Sequence, residues 1–88
     1  MAWAVEVSAT AARQIGKLDS AIQLRIVRFL RERVAASENP RLLGKPLQGD
    51  RAGLWRFRVG DYRILCEIQQ HRVTVLVLFV AHRKEAYR

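Results

Sequence analysis

Gly60-Asp61 stands between two runs of alternating apolar and polar residues, Leu54 to Val59 and Tyr62 to Gln69. A two-residue connection of this kind is a hairpin turn, and it leaves the flanking strands little choice of register. Val59 then opposes Tyr62, Arg58 opposes Arg63, Phe57 opposes Ile64 and Arg56 opposes Leu65. Side chains alternate across a strand, so Trp55, Phe57, Val59, Tyr62, Ile64 and Cys66 share a face suited to receive helices. Arg56, Arg58 and Arg63 share the other face. Directly opposed like charges cost a sheet some tenths of a kcal/mol up to about 1 kcal/mol. The carboxylate that this face offers in compensation is Glu67, further along the strand. A local rule broken without compensation points to function. Arginines merely snorkelling across an exposed sheet would explain less, because lysine or threonine would do so with less repulsion.

The rest of the chain supplies what the hairpin packs against. Val73 to Val80 follows a short turn at Gln70-His71 and is apolar on both faces, as expected of a strand central to a covered sheet. If Val80 keeps the parity of Leu78, it lies on the face of Arg63, and the chain leaves the sheet with His82 near the arginines. Upstream, Ala4 to Val7 alternates weakly and reads as a short first strand. Ser8 can cap a helix carrying Ala11, Ala12, Ile15 and Leu18 at helical spacing. Asp19 or Ser20 recaps a second helix, with Ile22, Ile26, Val27, Phe29, Leu30 and Val34 on one side. Gln23, Arg25, Arg28, Glu32 and Arg33 form its polar side. The helical pair ends before Asn39-Pro40, and Arg41 to Gly53 reads as a loop rich in turn formers. The expected fold class is α+β: one compact domain over residues 1–88, with an N-terminal strand, an αα-hairpin and a three-stranded antiparallel meander.

Charge narrows the partner. Sixteen Lys and Arg face eight Asp and Glu, a net charge of +8. Residues 1–40 hold six basic and four acidic groups (+2), and residues 41–88 hold ten and four (+6). A positive field concentrated in one half steers anionic partners. The bias is towards arginine, whose guanidinium grips phosphate in a bidentate fork. The terminal segment His82-Arg83-Lys84-Glu85-Ala86-Tyr87-Arg88 adds to it. His71, in a turn with Gln70 and Arg72, reads as an ordinary surface residue.

Other chemistries find little support. Cys66 lies in an apolar run and reads as a buried thiol in a reducing cytosol. No zinc-ligand spacing, phosphate-binding glycine loop or serine triad is present, so no metal or cofactor is expected. The longest apolar run is too short to span a bilayer, and the N-terminus lacks a signal peptide's basic head. The chain is expected to be soluble and cytoplasmic, without a membrane partner.

The segments Gly44-Lys45-Pro46-Leu47, Gly53 to Ile64 and His82 to Tyr87 together resemble the RelE/ParE superfamily of toxins from bacterial type II toxin–antitoxin modules. The resemblance covers nearly the whole chain and points to the RelE branch, whose members cut mRNA in the ribosomal A site. It implies a RelE-like microbial ribonuclease fold. It also implies metal-independent cleavage by 2′-OH attack, a RelB-like antitoxin as partner, and DNA contact only through the antitoxin complex. Arg56 and Arg58 correspond to the two basic residues that such toxins place two apart before the turn. Arg63 matches the phosphate-binding arginine after it, Arg83 the basic residue at the last strand's end, and Tyr87 the terminal tyrosine. The sequence departs from the best-known type in having arginine where the strand pair is often lysine, and in a shorter stretch between Arg83 and Tyr87. Other RelE-like nucleases use a strand glutamate as base, and Arg56 and Arg58 leave none here.

These positions can be given roles. Arg58 and Arg63 suit stabilisation of charge developing on the phosphate. They cannot act as bases, being protonated throughout the working pH range. Tyr87 is the candidate base, since surrounding cations favour a phenolate. His82 is the candidate acid, with Arg83 as the alternative. Lys45, Arg51, Lys84 and Arg88 are expected to touch RNA. Two rival readings remain: a ParE-like toxin that inhibits DNA gyrase by protein binding, and a basic RNA-binding module. The second lacks the exposed aromatic platform that stacks single strands.

Overall fold

In a computed structural model that describes residues 2–85, Ser8 starts the first helix as its position predicts. Its Oγ accepts from the Ala11 N–H at 3.1 Å and donates to the Leu78 carbonyl at 3.1 Å. The cap therefore also fixes where helix meets sheet. The order of elements is β1 (Ala4–Val7), α1 (Ala9–Gly16), α2 (Ser20–Arg28), β2 (Lys45–Pro46), β3 (Trp55–Val59), β4 (Tyr62–Gln69) and β5 (Thr74–His82). Asp19 precedes α2 but makes no side-chain cap bond. The second helix continues past Arg28 as a π-helical segment, Phe29–Val34.

The α+β class and the meander stand, and the sheet is larger than the meander alone. It has five strands in the order β1-β5-β4-β3-β2. β1 pairs parallel to β5, from Ala4 opposite Thr74 to Val7 opposite Val77. The predicted loop from Arg41 to Gly53 contains two short 3-10 turns, Pro40–Leu43 and Gly49–Arg51, and the edge strand β2 between them. Two residues carry no periodicity, so composition alone reads them as loop. Gly44 permits this approach: a Cβ there would lie 2.4 Å from the Arg56 carbonyl oxygen and 2.7 Å from the Phe57 ring.

The β3–β4 register is the one that the turn dictates, with Arg58 opposite Arg63 and Arg56 opposite Leu65. Gly60 has φ +57° and Asp61 is not in the left-handed region, the pattern of a hairpin with glycine first. Phe57, Ile64, Cys66, Val75 and Val77 are fully buried with Ile26 and Val34. Phe29 meets Phe57 edge-on, with ring centroids 5.6 Å apart. Each of these large side chains contributes on the order of 1.5–3 kcal/mol through burial.

β5 overturns one expectation. Cys66 pairs with Val77 but Leu65 pairs with Phe79, so Leu78 is an extra residue in a β-bulge. The bulge reverses parity. Val80 pairs with Ile64 and joins the helix-side core, and His82 pairs with Tyr62 on the same side. Val80 does not keep the parity of Leu78, and His82 does not lie on the arginine face. The pairing of β1 with β5 ends at Val77, and α1 covers the outer edge of β5 beyond it: the Gln14 Oε1 accepts from the Val80 N–H at 2.6 Å.

Candidate functional site

The hairpin turn gathers the basic residues because register places Arg58 and Arg63 side by side at its mouth. Their environments differ. Arg58 is exposed, whereas Arg63 is only 7 % exposed. Arg63 Nη1 donates to the Gly60 and Tyr62 carbonyls at 3.3 and 3.2 Å, folding its guanidinium back onto the turn. Its neighbour across β4–β5 is Ala81, too small to compete for that space. Arg63 is thus part of the turn's construction as well as a cation on the site's floor.

On the other side of Arg58, β2 sets Lys45 opposite Arg56. Lys45, Arg56 and Arg58 line a depression of about 210 Å³ with Leu42, Leu43 and Gly44. Leu42 is 82 % exposed beside it. Arg51 belongs to the second 3-10 turn and does not line this depression.

The end of β5 returns to the same turn. The Arg83 N–H donates to the Asp61 carbonyl at 2.7 Å, and the Arg83 Nε lies 3.9 Å from Asp61 Oδ1. Both side chains are more than half exposed, so this ion pair adds little stability. His82 lies edge-on to Tyr62, with ring centroids 5.4 Å apart, and its Nδ1 accepts from the Lys84 N–H at 3.3 Å. That bond leaves Nε2 as the nitrogen to carry a transferable proton. Lys84 is exposed. Tyr87 and Arg88 lie outside the described residues.

The predicted residues therefore fall into two groups that meet at Gly60-Asp61. Lys45, Arg56, Arg58 and Arg63 lie along the edge and face of the hairpin. His82, Arg83 and Lys84 lie at its rim. Glu67 does not offset the arginines: its Oε1 accepts from Gln69 Nε2. The ion pairs among the described residues are Arg72–Glu6 and Arg83–Asp61. Sequence reasoning missed one neighbour. A Cβ on Gly60 would lie 3.0 Å from the Arg25 guanidinium, so α2 reaches the turn too. The signal was the spacing of Arg25 and Arg28 on one helical face.

Cys66 takes no part. It is fully buried, and desolvation pushes its thiol up to about 12. No three or more His, Cys, Asp and Glu side chains are grouped to hold a metal among the described residues. No helix among them is long and apolar enough to cross a membrane.

Residues 5–87 match the family model described as ParE toxin of type II toxin–antitoxin system, parDE. The chain belongs to this family. Two curated relatives place it in the RelE branch of the RelE/ParE superfamily. It is 36 % identical to Toxin RelG of Mycobacterium tuberculosis over 88 residues, covering 100 % of this chain and 99 % of the relative. It is 37 % identical to Toxin RelE of the same organism over 84 residues, covering 96 % of this chain and 84 % of the relative. The fold superposes on a chain of a RelBE toxin–antitoxin complex from that bacterium with a TM-score of 0.87. That likeness has 34 % identity and covers 94 % of this chain and 100 % of the other. The protein is a type II toxin–antitoxin toxin close to the RelE toxins.

Proposed function

We propose that this RelE-branch toxin is an mRNA interferase, a metal-independent endoribonuclease that acts in the cytoplasm on mRNA in the ribosomal A site. The observation that carries this reading is the opposed pair Arg58 and Arg63 at the turn, extended by Arg56 and Lys45. Three cations on one hairpin and a fourth on the adjoining edge strand fit a phosphate backbone better than any neutral ligand.

In this mechanism the 2′-oxygen attacks the adjacent phosphorus, the O2′–P bond forms and the P–O5′ bond breaks. The products are a 2′,3′-cyclic phosphate and a free 5′-hydroxyl. Tyr87 takes the 2′ proton. Arg58 and Arg63 neutralise the charge that builds on the phosphoryl oxygens, where preorganised donors have most effect. The leaving 5′-oxygen receives its proton from His82 Nε2, or from Arg83 beside it. Because the His82 ring stands on the Tyr62 side, away from the arginine face, this proton transfer requires the substrate to pass over the rim of the turn. Lys45, Arg51, Lys84 and Arg88 hold flanking phosphates. A RelB-like antitoxin is the neutralising partner, and DNA is met only within that complex.

A second reading, protein-level inhibition of DNA gyrase, is favoured by the match to the ParE toxin family itself. One experiment separates the two. The chain is induced without antitoxin, then translation-dependent mRNA cleavage is compared with gyrase-linked DNA breakage. Breakage without cleavage would reject the nuclease.

A further inference from the structure

The predicted site does not use up the basic surface around the turn. Arg25, Arg28 and Arg33 of the second helical segment surround a cleft of about 390 Å³ together with Arg58 and Gly60. Phe29 and Val59 form its apolar floor, and Glu32 is the one carboxylate among its lining residues. No ion pair among the described residues involves any of these four arginines. Arg33 instead lies 6.0 Å above the Phe29 ring, which holds its guanidinium against the wall. Like charges three residues apart on a helix are mildly destabilising, and Arg25 and Arg28 are such a pair.

The strand edge adds a donor. β2 flanks β3 only at Trp55 and Arg56, so among the described residues the edge of β3 away from β4 has no strand beside it from Phe57 onwards. A two-residue turn makes Val59–Tyr62 a hydrogen-bonded pair, and the alternation of an antiparallel ladder turns the main chain of Arg58 outward. Arg58 thus gives a side chain to the hairpin site and a main-chain N–H to the open edge next to the cleft.

We propose that this cleft is a second phosphate-binding track, which holds the RNA backbone flanking the segment gripped by Arg56, Arg58 and Arg63. The inference rests on the RNA reading above and extends it across the open edge of β3 onto the second helix. Arginine is the residue suited to bidentate phosphate contact, and the cleft is continuous with the hairpin cations through Arg58. An acidic peptide fits less well, because only Phe29 and Val59 offer it apolar anchorage.

The test compares Arg25→Gln/Arg28→Gln with Arg13→Gln/Arg31→Gln, which removes equal charge elsewhere. All four positions are exposed on helices, and circular dichroism checks the fold. Binding is read by anisotropy with a fluorescein-labelled 2′-O-methyl RNA of about twelve nucleotides, and by co-sedimentation with 70S ribosomes. The cleft variant should show a salt dependence shallower by about 1.4 logarithmic units per decade, about 0.7 for each single-strand phosphate that is no longer neutralised. Its affinity should fall several-fold more than that of the control. Weaker binding in both assays assigns the track to the messenger strand, and weaker binding only with ribosomes assigns it to ribosomal RNA. The inference is overturned if the two double variants behave alike, or if only a poly-glutamate peptide loses affinity. A wild-type protein that binds neither RNA nor ribosomes would overturn the RNA reading itself.

Discussion

Arg58 and Arg63 oppose each other across one hairpin, yet one guanidinium is open to solvent and the other is folded onto the carbonyls of Gly60 and Tyr62. The pair combines an exposed cation with a fixed one, and the two should respond differently to removal.

Arg63→Ala strips two carbonyls of a charged donor at a buried position, and should cost about 1.5–3 kcal/mol in urea unfolding. Arg58→Ala should stay within about 0.5 kcal/mol of wild type, because it removes an exposed group and relieves like-charge repulsion. Growth arrest on induction should be lost in both. Full toxicity in Arg58→Ala would remove that residue from the site.

Two glycines should give opposite results on replacement by alanine. At Gly44 the new methyl would meet the Arg56 carbonyl and the Phe57 ring. Overpacking of that kind costs about 1–3 kcal/mol, and β2 with Lys45 should be displaced. At Gly16, the last residue of α1, nothing lies within 4 Å of the added Cβ. Gly16→Ala should raise stability by up to about 0.5–1 kcal/mol. Thermal unfolding of both variants checks the contrast.

Burial of Cys66 gives a defined pH dependence. The thiol is held protonated up to about 12, against an ordinary value of 9.0. Between these values the unfolded chain gives up the proton and the folded chain keeps it. Its contribution to stability is whole below pH 9 and declines above it, by at most about 1.4 kcal/mol per pH unit. Subtracting the unfolding free energies of Cys66→Ala from those of wild type at each pH isolates this slope. A difference that stays flat from about pH 8 to about pH 11 would contradict it.

His82→Ala and Tyr87→Phe should lower the single-turnover cleavage rate roughly 10²–10⁴-fold each, with much smaller losses in RNA affinity. Equal losses in rate and affinity would make these groups binders and not proton carriers.

The hairpin was legible because its determinant is local: two turn residues fix every cross-strand pair from Val59 to Arg56. The cap at Ser8 and the buried thiol were legible for the same reason. His82 was misplaced because the bulge at Leu78 depends on how β5 meets both β4 and the start of α1, which no alternation pattern records. β2 was hidden by its length, and its existence rests on the close approach of Gly44 to the Arg56 carbonyl. The role of Arg25 near the turn needed the helix to be docked. Helical spacing shows a basic face and not what that face looks onto.

The parallel pairing of β1 with β5 also bears on when the protein can first do harm. Ala4 finds its partner in Thr74, so β1 waits for β5, some seventy residues further along the chain. Long-range pairing of this kind makes folding slow and late. The nascent chain therefore has no closed sheet, and no Arg83 anchored at the turn, until β5 has been made. Topology gives the ribosome that makes this protein a grace period before the product is armed.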